Sequence, residues 1–261
     1  MAYKPFDLTG KTVLVTGGNG GIGYGMAEAL AQSGADVAIW GSNPDKTKAA
    51  EETLAAIGGK VFSRVVDVAD EQAVVEGMAA TAAWTGRLDC VIANAGIGLG
   101  SPSFIEMTTE TYRKVLSVNL DGVFFTFREA CRHMVERAKT TGEKGGSIVG
   151  VASLAATEGA ARNEAYAATK GGVISMVKSV AVEHARWGIR ANAIQPGWIA
   201  TDMTAGAQAS SAFAEKVIPR VPARRWGEPA DFGGVAVYLA SDASSYHSGD
   251  SFIIDGGYTV F

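Results

Sequence analysis

Residues 16–25, TGGNGGIGYG, join the apolar run TVLVT at 12–16 to a segment with helical periodicity. The loop fits two overlapping patterns, G-x-G-x-x-G and T-G-x-x-x-G-x-G, and the matching positions are Gly17, Gly18, Gly20, Gly21 and Gly23. Glycines let the backbone approach a pyrophosphate, and the amino terminus of the next helix offers free N–H groups. A merely tight turn is the alternative. A glycine loop at the first strand-to-helix crossing favours dinucleotide binding instead.

Short β-branched runs alternate with longer helical stretches along the rest of the chain. Strands are predicted at 12–16, 35–40, 60–66, 88–96, 145–153, 189–197 and 251–257. Helices are predicted at 22–34, 43–59, 70–86, 109–138, 164–187 and 229–241. Several strands are apolar on both faces, which is typical of a parallel sheet covered by helices. The sequence therefore predicts an α/β protein: a single-domain, doubly wound Rossmann fold over residues 1–261, with about seven parallel strands and helices on both faces.

Composition excludes several classes of protein. The 261 residues are 47% hydrophobic and 19% charged, with a net charge of −4, so neither a nucleic-acid partner nor a membrane is expected. The start lacks the long apolar core of a secretory signal, and no stretch approaches the length of a membrane span. Cys90 and Cys131 are predicted to be buried, reduced thiols, and no His/Cys cluster has metal-ligand spacing. A cytoplasmic protein without a metal is expected.

The end of the second predicted strand bears on cofactor choice. A carboxylate at this point would accept hydrogen bonds from an adenosine ribose and repel a 2′-phosphate. Here the sequence reads Gly41, Ser42, Asn43, and Asp45 falls in the first turn of the next helix. Ser42 and Asn43 are predicted to donate to a phosphate, with Lys46 in reach. NADP(H) is favoured and NAD(H) stays possible; Gly41→Asp is expected to shift the preference toward NAD.

The segment EAYAATKGG, residues 164–172, sets Tyr166 one helical turn before Lys170. On a helix this spacing brings both side chains to one face. A nearby cation lowers the pKa of a phenol, which is a poor proton donor or acceptor at its ordinary value. The alternative is a half-buried tyrosine beside a lysine that reaches water.

Several motifs together resemble the short-chain dehydrogenase/reductase family, in its branch of about 250 residues that form one domain. They are TGGNGGIG (16–23), DV (67–68), ANAG (93–96), SVNLDG (117–122), Ser153, YAATK (166–170) and QPGWIATDM (195–203). The resemblance covers essentially the whole chain and extends to 3-oxoacyl-ACP reductases and sugar or alcohol dehydrogenases. It implies an NAD(P)(H)-dependent oxidoreductase that transfers a hydride between nicotinamide and a ketone or secondary alcohol.

The same resemblance implies roles for individual residues. Tyr166 would be the general acid/base, Lys170 its electrostatic partner, and Ser153 the polarising hydroxyl, while Asn119 would hold a proton-relay water. The implied cofactor-binding residues are Gly17, Asn19, Gly20, Gly21, Ile22, Gly23, Ser42, Asn43, Asp67, Val68, Asn94, Ala95, Gly96, Tyr166, Lys170, Pro196, Gly197, Ile199 and Thr201. Structural alternatives stay open for three of these residues: a backbone-bonded buried serine at 153, a helix-to-strand bridge at Asn119, and a helix cap at Asp67.

Other functions and the substrate are less defined by the sequence. An epimerase or dehydratase of the same fold, or a non-catalytic nucleotide sensor, are the alternatives to an oxidoreductase. The segments predicted to bind the substrate are 97–104, 154–163 and 202–218, with Met203 and Phe213 as apolar candidates. They carry no prominent arginine or lysine, which favours a neutral, moderately apolar carbonyl compound. Segment 202–218 is predicted to be a mobile lid, and 136–146 a polar surface loop. The resemblance implies a homotetramer or homodimer.

Overall fold

The structure, a computed structural model, describes residues 4–261. The prediction that no secretory signal opens the chain falls partly on residues 1–3, which lie outside the described residues. Among the helices from residue 4 onward, none has the length and apolar character needed to cross a membrane.

Seven parallel strands form one sheet in the order β3-β2-β1-β4-β5-β6-β7. The strands are β1 Thr12–Thr16, β2 Asp36–Gly41, β3 Val61–Val65, β4 Cys90–Ala93, β5 Gly146–Val151, β6 Ile189–Pro196 and β7 Ser251–Ile254. The helices are α1 Gly21–Gln32, α2 Pro44–Ala55, α3 Glu71–Thr85, α4 Thr109–Leu116, α5 Gly122–Thr141, α6 Ala155–Glu158, α7 Glu164–His184, α8 Ala205–Gln208, α9 Ser211–Val217 and α10 Gly233–Ala240. The predicted doubly wound α/β fold is confirmed.

Two apolar layers enclose the sheet, because successive side chains of each strand point to opposite faces. Leu14 of β1 and Val91 of β4 pack on one face, in a cluster that includes Met78, Phe127 and Val177. On the other face the buried cluster contains residues from β1, α1 and α10, among them Val13, Val15, Leu30, Phe232 and Leu239. All five residues of β1 are buried, so the sequence run TVLVT forms the centre of the sheet.

The strand order reverses direction at β1, which lies between β2 and β4. Chain connections leave toward opposite edges of the sheet from this point, and a crevice opens at the carboxyl ends of the two strands. Strands β4 and β5 end at Ala93 and Val151, earlier than predicted. Asn94 and Ser153 therefore lie in the loops that border this crevice rather than within the strands.

The predicted helix at 109–138 is interrupted and longer than expected. A π-helical turn, Ser117–Asp121, separates α4 from α5, and α5 continues to Thr141. The prediction of a surface loop at 136–146 is therefore wrong for its first half. Arg137 in that half is largely buried and donates to the carbonyls of Leu88 and Gly145 at 2.8 and 2.6 Å, so it ties α5 to two loops.

The two thiols behave as the sequence predicts. Cys90 and Cys131 are free and buried. Burial raises the pKa of each thiol to about 12, so both remain protonated at neutral pH.

Candidate active site

A cavity of about 1410 Å³ occupies the crevice at the carboxyl end of the sheet. Its walls come from the loops after the seven strands, from α4 and α7, and from the segment that contains α8 and α9. Open parallel sheets bind ligands at the carboxyl ends of their strands, so the predicted site is expected in this cavity.

The glycine loop between β1 and α1 borders one end of the cavity. A methyl group on Gly23 would lie 2.2 Å from the carbonyl oxygen of Gly17 and 2.4 Å from Nδ2 of Asn94, so this glycine lets the loop fold closely over the start of α1. Gly17 itself has a φ of +64°, in the region that favours glycine. Gly20 is different, since an added methyl would meet no atom within 4 Å. The backbone at Gly20 therefore faces the open cavity, where an approaching phosphate would meet the N-terminus of α1.

The end of β2 carries no acidic side chain on the cavity. Gly41, Ser42 and Lys46 line it, and the Lys46 ammonium lies 2.7 Å from a carboxylate oxygen of Asp202. Asn43, predicted to contact a phosphate, is the N-cap of α2 and accepts from the Lys46 N–H at 2.9 Å. It is not among the cavity-lining residues, because the capping role directs its side chain toward the helix.

Gly41 cannot take a side chain without a rearrangement. A methyl group there would lie 2.0 Å from Nδ2 of Asn19 and 2.6 Å from Oγ1 of Thr47. These two side chains are themselves hydrogen-bonded at 3.0 Å. Gly41→Asp is therefore an unsuitable test of cofactor preference, and Ser42 offers a position with an exposed side chain on the same wall.

Loops after β3 and β4 border the middle of the crevice. Thr16 Oγ1 accepts from the N–H groups of Asn94 and Ala95, each at 3.1 Å, and this fixes the loop after β4 against β1. Asp67 lines the cavity, and its carboxylate accepts the N–H of Ala69 at 3.0 Å. The alternative of Asp67 as a helix cap is wrong, because Asp70 caps α3.

Ser153, Tyr166 and Lys170 lie together beyond the end of β5. Tyr166 and Lys170 occupy successive turns of α7, and the ammonium is 5.5 Å from the centroid of the tyrosine ring. Lys170 is 3% exposed and donates to the carbonyl of Val151 at 2.7 Å. The alternative of a lysine that reaches water is therefore wrong. Ser153 Oγ accepts the N–H of Ala155 at 3.2 Å, so its predicted backbone bond is also present.

The predicted effect of Lys170 on the phenol is not found in this structure. Burial raises the pKa of Tyr166 above its ordinary value, and the hydrogen bond with Ser153 acts against this increase. Burial also lowers the pKa of Lys170 to about 8. The expectation of an acidified phenol fails because desolvation dominates and the ammonium is directed to a backbone carbonyl. Tyr166 is thus a protonated phenol at neutral pH.

Asn119 bridges to the loop after β4. Its Oδ1 accepts the N–H of Ile97 and its Nδ2 donates to the carbonyl of the same residue, each at 2.8 Å. The side chain is fully buried and does not line the cavity. The structural alternative for Asn119 is therefore confirmed as a bridge, although its partner Ile97 lies in the loop after β4 rather than in a strand. The π-helical turn around it is a feature often found at functional sites, and its role with water stays a prediction.

Most of the predicted site residues share the cavity. Those that line it are Gly17, Asn19, Gly20, Gly21, Ile22, Ser42, Asp67, Val68, Asn94, Ala95, Gly96, Ser153, Tyr166, Lys170, Pro196, Gly197, Ile199 and Thr201. Three predicted residues do not: Gly23, Asn43 and Asn119. Each of these has a packing, capping or bridging contact behind the cavity wall.

The cavity also has an aromatic end that sequence reasoning missed. Trp198, Phe213 and Tyr258 line it, and the Trp198 ring contacts Phe213 edge-on at a centroid distance of 4.9 Å. Trp226 stacks on Phe213 from behind, at 6.2 Å. Arg220 lines the same end. It lies outside the segments predicted to bind the substrate, so no sequence feature pointed to this cation. Only Phe213 had a sequence signal, as an apolar residue in the predicted lid.

Comparisons with known proteins agree with this geometry. A family model described as enoyl-(acyl carrier protein) reductase matches residues 17–259. Gluconate 5-dehydrogenase of Gluconobacter oxydans (strain 621H) is 36% identical over 255 residues, which cover 98% of this chain and 97% of that protein. L-rhamnose 1-dehydrogenase (NAD(P)(+)) of Azotobacter vinelandii is 38% identical over 257 residues, with 97% and 98% covered. The crystal structure of a gluconate 5-dehydrogenase from Burkholderia cenocepacia J2315, in complex with NADP and tartrate, has a TM-score of 0.93 at 32% identity and covers 100% of both chains.

Proposed function

The chain belongs to the short-chain dehydrogenase/reductase family of NAD(P)-dependent oxidoreductases, and we propose on that premise that Tyr166 is its general acid/base. The single observation that carries this proposal is the group formed by Tyr166, Ser153 and Lys170 at the carboxyl edge of the sheet. The reaction is the interconversion of a ketone and a secondary alcohol. A bound nicotinamide supplies or accepts the hydride, and the protein positions a carbon and manages one proton.

Two hydroxyl groups act on the substrate oxygen. During reduction negative charge develops on that oxygen, and donors aimed at it stabilise the transition state more than the ground state. Ser153 and Tyr166 supply these donors. Tyr166 then gives up its proton, and its raised pKa supports this direction, since the phenol is protonated at neutral pH. In alcohol oxidation the same side chain acts as the base.

Lys170 places a positive charge 5.5 Å from the centroid of the Tyr166 ring. A pKa of about 8 leaves most of the amine protonated at neutral pH, and its bond to the Val151 carbonyl fixes its position. The cation stabilises the phenolate that remains after proton transfer. Asn119 orients the loop at Ile97 and, we propose, helps to hold the water that returns a proton to Tyr166.

The residues at the glycine loop fit a dinucleotide. Gly17, Gly20 and Ile22 would lie along the pyrophosphate at the start of α1, and Asp67 and Val68 along the adenine. NADP(H) is the proposed preference, since the end of β2 brings Ser42 and Lys46 rather than a carboxylate to the cavity. The Burkholderia relative was solved with NADP, which supports the same choice.

Replacement of one tyrosine tests the mechanism. Purified protein is mixed with NADPH and a panel of ketones, and NADPH consumption is followed for the wild type and for Tyr166→Phe. We expect the variant to lose about 10²- to 10⁴-fold in kcat, because only the proton-transfer group is removed. Its NADPH affinity should stay within about twofold, since the aromatic ring is kept.

Tyr246→Phe is the matched control, because Tyr246 is fully exposed and does not line the cavity. It should keep the wild-type rate. A wild-type rate in Tyr166→Phe would show that another group supplies the proton. Tight NADPH binding without turnover of any ketone or alcohol would favour a nucleotide sensor instead.

We also propose a homotetramer or homodimer, a single domain over residues 1–261, a cytoplasmic location and a lid at 202–218. Exposed apolar side chains on the outer helices support self-association, among them Tyr112, Phe124 and Val182 at 39%, 45% and 82% exposed. Light scattering of the purified protein measures its mass in solution.

A further inference from the structure

Arg220 is a cation on the cavity without a charged partner. It ends the short 3₁₀ turn Ile218–Arg220, directly after α9. Its guanidinium carbon lies 4.5 Å from the centroid of the Tyr258 ring. Among residues 4–261 the guanidinium makes no hydrogen bond and no ion pair. Its N–H donors are therefore available to a molecule in the cavity.

The aromatic ring below Arg220 fixes where this charge lies. Tyr258 is 8% exposed and packs in a buried cluster with Leu154, Val217 and Val221. Leu154 is the residue after Ser153, and Trp198, whose ring is 6.5 Å from that of Tyr258, is the residue after Gly197. The platform for Arg220 is thus built from neighbours of the proposed reaction centre. The charge belongs to the substrate end rather than to the adenosine end.

The other cations on the cavity are engaged or lie elsewhere. Lys46 is paired with Asp202, and Lys170 donates to a backbone carbonyl. Lys114 lies one turn before Val118, which packs in the same buried cluster as Val68 on the proposed adenine side. Arg220 is therefore the one uncompensated cation at the substrate end of the described cavity. Glu158, a carboxylate on the same cavity, forms no ion pair with Arg220.

We propose that Arg220 binds the carboxylate of an anionic carbonyl substrate, such as a keto or hydroxy sugar acid. This proposal rests on the proposed function, because it places the acid group at one end of a substrate whose carbonyl reaches Tyr166 and Ser153. A guanidinium stacked on an aromatic ring presents a planar fork that matches a carboxylate. A phosphate dianion would call for more than one cation, and this end of the cavity offers one.

Matched acid and amide probes test the assignment. The probes are 5-keto-D-gluconate and its carboxamide for turnover with NADPH, and D-gluconate and D-gluconamide for binding to the protein with NADP⁺. We expect the wild type to favour each acid over its amide by about tenfold or more in kcat/KM and in Kd. Arg220→Met keeps an apolar chain over the Tyr258 ring. This variant should lose the preference for the acids, while its kcat/KM and Kd for the amides should stay at the wild-type values.

Two further variants separate charge from geometry. Lys216→Met removes a positive charge from α9 at a residue that does not line the cavity, and it should leave the acid preference unchanged. Arg220→Lys keeps the charge without the planar fork and should keep only part of the preference.

The results of these experiments either support or overturn a carboxylate-binding site at Arg220. Equal treatment of acids and amides by the wild type, or an acid preference that survives in Arg220→Met, would overturn the carboxylate site. The proposed function would stand if the same protein reduced neutral ketones. Conversely, an Arg220-dependent preference for gluconate in binding, without turnover of any carbonyl compound, would support the anion site and remove the proposed reaction.

Discussion

The two ends of the cavity are built in different ways. At the proposed cofactor end, Gly17, Gly20 and Gly23 act through the side chains they lack. Gly23 closes on the Gly17 carbonyl, and both of these glycines approach Asn94 in the loop after β4. At the proposed substrate end, Trp198, Phe213 and Tyr258 act through large rings that meet from distant parts of the chain. The glycine pattern of the cofactor end thus lies within one short loop, although that loop packs on Asn94, whereas the substrate end is assembled from rings that are distant in sequence.

Lys170 lies where the two ends meet, so its loss should have the largest effect. Lys170→Met should lower kcat by about 100-fold or more, because the phenolate left after proton transfer loses the cation that lies 5.5 Å from the ring centroid. Cofactor affinity should fall as well, which distinguishes this variant from Tyr166→Phe. Steady-state rates and NADPH titration measure the two effects. An unchanged NADPH affinity would show that Lys170 contributes to the chemical step and not to cofactor binding.

Lys170→Met should also differ from the wild type in how its stability depends on pH, because the variant lacks the buried amine. The pKa of Lys170 is lowered to about 8, whereas an unfolded chain keeps this amine protonated to about pH 10.4. Between these two pH values the unfolded state binds more protons than the folded state, so the free energy of unfolding increases as pH rises. Wild-type stability relative to Lys170→Met should therefore increase from about pH 7.5 to about pH 9.5. Urea unfolding of both proteins at several pH values measures this difference in stability. A difference that does not change with pH would mean that the Lys170 amine is hydrated in the folded protein.

Gly23→Ala tests the cofactor end by adding a side chain. The new methyl would lie 2.2 Å from the Gly17 carbonyl, and that rigid backbone has to move. We expect unfolding to become easier by about 1–3 kcal/mol, although alanine is the better helix former. Gly20→Ala is the matched control, because its methyl meets no atom within 4 Å and its backbone is extended, with a φ of −179°.

Gly20→Ala should keep stability within about 0.5 kcal/mol and lose cofactor affinity, since the methyl faces the cavity. Chemical unfolding without cofactor and NADPH titration separate the two quantities. Equal stability of both variants would mean that the close approach at Gly23 is unimportant.

The contrast between the two ends also explains what the sequence could predict. The glycine loop and the Tyr166–Lys170 pair are readable because their spacing is local and follows the periods of strand and helix. Arg220 and Tyr258 are not, since they reach the cavity through packing of α9 and the C-terminal segment. The raised pKa of Tyr166 was missed for a related reason: spacing identifies a neighbouring cation but not the depth of burial.

Ser42→Asp should change the preference between NADP and NAD by less than the loss of rate expected for Lys170→Met. A carboxylate there would accept from a ribose hydroxyl and repel a 2′-phosphate, so the NADP/NAD ratio of kcat/KM should fall about tenfold. Asn43→Asp is the control: it adds the same charge one residue further on, keeps the N-cap of α2 and lies off the cavity. Kinetics with both cofactors measure the ratio. An equal change in both variants would indicate a general charge effect instead of a contact with the ribose.

Phe213→Ala should have the smallest effect and be confined to the substrate end. The ring lines the cavity beside Trp198 and Trp226, and one aromatic contact of this kind with a bound molecule is worth about 0.5–1.5 kcal/mol. The KM for the carbonyl substrate should therefore rise roughly three- to tenfold, while NADPH affinity stays within about twofold. Phe62→Ala removes a comparable ring that stacks on Trp84, away from the cavity, and should leave both constants unchanged. If Phe213→Ala weakened NADPH binding as much as substrate binding, the two ends would be coupled through α9, and the separation between a local cofactor end and an assembled substrate end would fail.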